Sequence, residues 1–250
     1  MRTNSGGLVV ERVGVSYGSL VVLDDASIAV PPGMVVGLVG PNGAGKTTLV
    51  DVASGFIRPL QGRVLWDGRP ITDLAPHRRA RLGLGRTFQH LGLASDLSCL
   101  DHLCTGAAMP QPYRVLDPLT APWRWRRGEA DLRARGEQLL GDLGVAACAH
   151  VATEEVPFGS ARFVEVASVL ARQPSILLLD EPTTGLSRAE IVGLVEVLKE
   201  VRASGTGMLV VSHDPSFIDA LCHRVYTLDH GRIVEADDGQ SHHPATETNR

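Results

Sequence analysis

An apolar run, Met34 to Val39, leads directly into Gly40-Pro41-Asn42-Gly43-Ala44-Gly45-Lys46-Thr47, and a segment of helical character follows from Lys46 to Ser54. No other stretch of the chain restricts its architecture as much. Small residues let successive backbone N–H groups curl around an anion, and the start of a helix adds positive potential there. The spacing G-x-x-x-x-G-K-[ST], after a strand and before a helix, lets Lys46 reach the β- and γ-phosphates of a nucleotide and offers the Thr47 hydroxyl to Mg²⁺. The candidate nucleotide-contacting residues here are Gly40, Pro41, Asn42, Gly43, Ala44, Gly45, Lys46, Thr47 and Thr48.

Downstream lies Ile176-Leu-Leu-Leu-Asp180-Glu181-Pro182, a buried-strand pattern ending in two carboxylates. Beside a phosphate loop, such a pair divides the chemistry. Asp180 is placed to hold Mg²⁺ through water, and Glu181 to polarise a water that attacks the γ-phosphate.

Residues 8 to 17 and 20 to 30 read as two β-rich segments closed by Pro31-Pro32-Gly33, which predicts a short antiparallel layer ahead of the loop. Gly62 to Trp66 predicts another strand, and Pro76 to Arg81 a short basic helix before Gly83 to Gln89. From about 96 to 150 the β signal disappears. Helical stretches at Ser98 to Ala108 and Glu129 to Leu143 flank a connector holding Pro118, Pro122, Trp123, Arg124, Trp125, Arg126 and Arg127, and together they predict a helical insertion. The β/α alternation then resumes: helix Ala161 to Arg172, strand Ile176 to Leu179, helix Arg188 to Ala203, strand Met208 to Val211, helix Pro215 to Cys222, and a β-rich end from Val225 to Val234. The polar residues 236–250 read as a disordered tail.

The 250 residues suffice for one sizeable α/β domain with an insertion, and 44% hydrophobic with 21% charged residues is ordinary globular composition. A net charge of −4 argues against binding nucleic acid through broad positive charge. Cys99, Cys104, Cys148 and Cys222 have no CxxC spacing, which points to a reducing cytoplasm, and no apolar run approaches a membrane-spanning length.

In order and content these motifs resemble the ABC-type ATPase family over nearly the whole chain, about Val9 to Val234. The resemblance implies a P-loop α/β core with an N-terminal antiparallel β layer, in a domain spanning 8–235 with a helical lobe inserted at about 90–165. It further implies ATP and Mg²⁺ as ligands. Tyr17 resembles the aromatic residue on which adenine stacks. Gln89, in Arg86-Thr-Phe-Gln89-His, resembles the glutamine that touches Mg²⁺ and water and senses the membrane partner, and His213, in Val210-Val-Ser-His213-Asp214, the switch histidine at the γ-phosphate. The signature, commonly LSGGQ, falls at Val156-Pro157-Phe158-Gly159-Ser160, so that Phe158, Gly159 and Ser160 are expected to face nucleotide held by a partner subunit.

Two positions depart from the family pattern. Pro157 stands where a serine hydroxyl would meet γ-phosphate, and Ser187 where an aspartate is usual, both in contacts made across a dimer. Arg86-Thr-Phe-Gln-His, Phe158 and the long connector look most like the ATP-binding subunits of branched-chain amino acid importers. The implied partners are a second ABC ATPase subunit, identical or not, transmembrane permease subunits and an external solute-binding protein, with the chain peripheral on the cytoplasmic face of the membrane. An ATPase for another cargo (urea, short amides, lipopolysaccharide), a non-transport ABC ATPase and a regulatory subunit remain alternatives. A GTPase is disfavoured because no Asn-Lys-x-Asp motif occurs.

Overall fold

The computed structural model describes residues 6–88, 92–94, 96–108 and 122–235. Gln89, residues 109–121 of the connector and the 236–250 tail, all singled out in the sequence, lie outside the described residues.

Strand β1 (Leu8–Tyr17) pairs antiparallel with β2 (Leu20–Val30) and with β4 (Gln61–Trp66), and β4 with β5 (Arg69–Pro70). This is the antiparallel layer expected from residues 8 to 30. A second sheet of six strands runs in the order β10-β9-β3-β8-β7-β6, with β3 (Val35–Val39) inside it. From β9 (Arg224–Asp229) through β3, β8 (Gly207–Val211) and β7 (Ile176–Asp180) to β6 (Leu84–Arg86) every pairing is parallel, and only β10 (Arg232–Glu235) is antiparallel. Helices α1 (Lys46–Ser54) and α2 (Pro76–Arg81) follow β3 and β5 in the chain.

Strands β7, up to its terminal Asp180, and β8 are apolar because both faces of their sheet are covered. Alternate side chains serve different cores. Leu177, Leu179, Met208 and Val210 pack with the helices that follow β6, whereas Ile176, Leu178, Leu209 and Val211 pack with α1 and the antiparallel layer. The parity places Asp180 on the α1 face, two residues beyond Leu178, and Arg86 joins it there, two beyond Leu84.

The helical segment contains α3 (Cys99–Ala108), α4 (Pro122–Asp142) and α5 (Phe158–Leu170), with α3 packed on both others. The expected helix at Glu129 in fact begins at Pro122, so the Pro, Trp and Arg-rich stretch 122–127 is helical backbone and not connector. Proline is tolerated in a first turn, where its missing N–H has no intrahelical acceptor. Helix α5 likewise starts at Phe158, ahead of the expected Ala161, and β6 occupies only Leu84–Arg86 of the stretch 83 to 89. Helices α6 (Arg188–Ala203) and α7 (Pro215–Leu221) close the alternation.

Candidate functional site

Parallel strands end together, so the C-terminal ends of β3, β7 and β8 bring Gly40, Asp180 and Ser212 to one edge of the sheet. Ligands in open α/β sheets bind at that edge. The loop from Gly40 to Gly45 joins β3 to α1 there, with Gly40 at φ 144°, Gly43 at 80° and Gly45 at 103°. A Cβ on Gly40 would come 2.2 Å from the Leu228 carbonyl oxygen, whereas one on Gly43 would meet nothing within 4 Å. The first glycine is required by the close approach of β9; the second leaves the mouth of the loop open. Lys46, 9% exposed, donates from Nζ to the carbonyls of Gly40 (2.8 Å) and Pro41 (3.0 Å), which holds its ammonium over the loop. An ammonium carries three N–H bonds, so a donor is left for phosphate.

Asp180 is 1% exposed, and its carboxylate oxygens keep lone pairs free of any close hydrogen bond. Burial raises its pKa; the Arg86 guanidinium, 3.9 Å away, and the Thr47 hydroxyl oppose that rise, and Glu181 and Asp51 add to it. A buried carboxylate with unused lone pairs, faced by a threonine hydroxyl at the start of a phosphate-loop helix, fits a hard cation. Among the described residues no group of three or more His, Cys, Asp or Glu side chains could hold a metal unaided. Mg²⁺ does not need one, because it takes one or two protein oxygens, substrate phosphates and water. The residues present therefore fit Mg²⁺, with Thr47 and Asp180 as the protein donors.

Glu181 follows at φ 52°, the left-handed region a glutamate seldom enters. Its N–H donates to the Val211 carbonyl (2.9 Å), continuing the β7–β8 ladder, and its Oε2 lies 2.8 Å from His213 Nδ1. The structure thus brings Glu181 and His213 together at the ends of adjacent strands. Local backbone strain of this kind is concentrated at functional sites.

Tyr17, 55% exposed, stands at the end of β1 where the chain turns into β2. Strand β2 reaches the loop itself: Val22 and Leu23 pack against Gly45. Phe158, Gly159 and Ser160 form the first turn of α5, with Pro157 as its N-cap residue and no side-chain cap. The Phe158 ring lies against the backbone of Gly185, and Glu190 against Gly159. Ser187 has a local role the sequence reading missed. It caps α6 in a reciprocal box, its N–H donating to Glu190 Oε2 (2.7 Å) and its hydroxyl accepting from the Glu190 N–H (3.4 Å). The Ser-x-x-Glu spacing is the signal that would have revealed it.

The contacts of three further side chains escaped the sequence reading, although Arg86, Arg162 and Glu165 fit the family's pattern there. Arg86, 9% exposed, donates to Asp51 Oδ1 (2.6 Å) and Ser54 Oγ (2.7 Å) on α1 and lies over the rings of Phe56 and Phe88, at 5.3 and 5.0 Å. Arg162 and Glu165, buried on α5, pair at 2.7 Å and hold the Phe88 backbone. Burial raises the Glu165 pKa, opposed by the Phe88 N–H and by Arg162. Opposite charges three apart in an otherwise apolar helix were the available signal.

The chain matches the ABC transporter family over residues 23–184. It is 34% identical to the lipopolysaccharide export system ATP-binding protein LptB of Acidithiobacillus ferridurans, over 90% of this chain and 87% of that protein. It is 29% identical to the high-affinity branched-chain amino acid transport ATP-binding protein LivG of Escherichia coli, over 90% and 88%. A solved ATP-binding cassette of an ABC transporter in its ADP conformation superposes with a TM-score of 0.78 at 26% identity, covering 93% of this chain and 91% of that one. With a phosphate loop, a buried carboxylate fit for Mg²⁺ and a glutamate–histidine pair at one sheet edge, the chain belongs to the ABC transporter family, as an ATP-hydrolysing cassette.

Proposed function

We propose that the chain hydrolyses ATP as one half of a nucleotide-sandwiching dimer that drives import of branched-chain amino acids or related small solutes from the cytoplasmic face of the membrane. The observation that carries the catalytic part is the 2.8 Å Glu181–His213 contact one residue beyond the buried Asp180, which Arg86 and Thr47 face. Likeness to LivG, together with Phe158 within the signature, supports the cargo.

Lys46 and the loop N–H groups bind the β- and γ-phosphates, and Tyr17 stacks on the base. Thr47 and Asp180 would hold Mg²⁺, which would supply charge neutralisation to the phosphates. Glu181 accepts the proton of the attacking water. His213, within hydrogen-bond reach of Glu181, orients that carboxylate and contacts γ-phosphate, and Gln89 is assigned by resemblance alone to Mg²⁺ and water. Phe158, Gly159 and Ser160 face the nucleotide of the second subunit. We assign the catalytic domain to 8–235, with the helical lobe inserted at about 90–165.

Among the described residues no helix is long and apolar enough to cross a membrane, so transport requires permease subunits. The exposed rings of Phe56 and Phe88, edge to face at 5.7 Å beside Arg86, suit such a partner. An external solute-binding protein delivers the cargo. The test is affinity purification from detergent-solubilised membranes, with uptake of labelled leucine in cells carrying wild type or Lys46→Ala. Permease subunits should co-purify and uptake should be lost with Lys46→Ala; co-purification of lipopolysaccharide-export subunits with unchanged uptake would replace the cargo assignment.

A further inference from the structure

Three consecutive residues each grip a different part of the site. Arg86 holds α1 through Asp51 and Ser54. Thr87, fully buried, donates its N–H to the Leu178 carbonyl (3.0 Å) and accepts at its hydroxyl from the Asp180 N–H (3.4 Å), so it holds β7. Phe88 is held by α5 at both ends of its backbone: its N–H donates to Glu165 Oε1 (2.9 Å), and its carbonyl accepts from Arg162 Nη1 (2.9 Å). The same Nη1 donates to Glu165 Oε2 at 2.7 Å, which closes the three groups into a ring.

Arg162 is 1% and Glu165 5% exposed, amid Phe163, Val164, Val166 and Ala167 of an apolar helix. For adhesion alone such a pair is a poor choice, since apolar side chains of similar volume commonly hold elements together as well or better. What charges provide and apolar contacts do not is direction. The N–H and the C=O of one peptide segment are fixed in orientation by a single helix. A displacement of α5, whose first turn is Phe158–Ser160, is therefore passed to Phe88, and through Thr87 and Arg86 to Asp180 and α1.

We propose that Arg162 and Glu165 are positioning residues that couple the nucleotide at the first turn of α5, held by the opposite subunit, to hydrolysis at Asp180 and Glu181 of their own chain. The inference rests on the dimer proposed above. Neither side chain is assigned a contact with nucleotide; they act through the 86–88 segment.

The experiment uses purified full-length chain and reads two quantities: MgADP affinity, and phosphate release as a function of ATP concentration. The double substitution Arg162→Met with Glu165→Gln removes both charges together, and Gln keeps an acceptor for the Phe88 N–H. The expected result is MgADP affinity within about threefold of wild type, kcat lowered by about tenfold or more, and a sigmoidal ATP dependence turned hyperbolic. Arg162→Lys should restore the sigmoidal curve, because an ammonium can still donate to both the Phe88 carbonyl and Glu165. If the double variant does not fold, Glu165→Gln alone is read in the same way. A sigmoidal curve and near-normal kcat in the folded variant would overturn the coupling while leaving the dimer intact. A hyperbolic wild-type curve, with rate strictly proportional to protein concentration, would overturn the dimer and the coupling together.

Discussion

Replacing Arg79 with methionine should destabilise the protein strongly while leaving the residues at the phosphate loop unaltered. Arg79 is fully buried, and its guanidinium meets four carbonyls and no carboxylate: Leu74 (3.0 Å), Val52 (2.8 Å), Ala53 (2.8 Å) and Thr72 (2.8 Å). Two of these lie in the last turn of α1, where carbonyls have no intrahelical donor and a cation favours the helix dipole. Burial pulls its pKa down to about 10, opposed by Asp73, so it remains charged at neutral pH. In Arg79→Met the Val52 carbonyl keeps the Gly55 N–H at 3.2 Å, while Leu74, Ala53 and Thr72 lose the guanidinium donor. An orphaned buried acceptor costs about 1–3 kcal/mol, and relief of the buried charge offsets part of the sum, leaving a net loss of about 3 kcal/mol. In a chain of this size that lowers Tm by about 6–12 °C, read by thermal unfolding followed by circular dichroism at neutral pH. A Tm within about 2 °C of wild type would refute the reasoning, because it would mean that the carbonyls find other donors or were never dependent on this one.

Tyr17→Ala should weaken ATP and GTP binding alike, by about 1–3 kcal/mol if the ring stacks on the base; equal affinities before and after would reduce Tyr17 to packing. Pro157→Ser, in a complex with a partner of conventional signature, should raise turnover at the site α5 closes by about tenfold, since a charge-assisted hydroxyl contact is worth about 1.5–3 kcal/mol. Unchanged affinity and rate would show that backbone donors and Ser160 already suffice. Asp101 is held below the usual carboxylate range first by the Ser98 hydroxyl and, beyond that, by Arg133, against the opposing effect of burial. A depressed folded pKa gives stability that is present above the unfolded value and lost as pH falls, so Asp101→Asn should flatten the decline of Tm below about pH 3.9, and an unaltered acid limb would contradict the assignment.

What the sequence made legible were local patterns with a single physical meaning. The run Ile176 to Leu179, closed by two carboxylates, read as a buried strand, whereas the placing of Asp180 on the α1 face came from the fold. The phosphate loop was readable for the same reason, its glycines and Lys46 being fixed by spacing. The start of α4 was not, because a Pro, Trp and Arg-rich stretch resembles a connector until its packing is known. Arg79 sits in Pro-His-Arg-Arg-Ala-Arg, a basic segment in which nothing local says which arginine turns inward. Arg162 and Glu165 carried a visible clue in their spacing, but the Phe88 peptide they hold is 74 and 77 residues away, and that separation is set by the fold alone. At Ser187 the departure from aspartate drew attention from the cap it forms with Glu190.

In the proposed mechanism Glu181, at φ 52° beyond Asp180, activates the attacking water. Phosphate release from MgATP by the purified chain, wild type against Glu181→Gln, tests it most directly, with nucleotide affinity measured on the same samples. The amide keeps the shape of the carboxylate and cannot accept the proton, so turnover should fall by about 10²–10⁴-fold while ATP still binds. Turnover in Glu181→Gln close to that of wild type, with binding intact, would contradict the account and remove Glu181 from the chemistry.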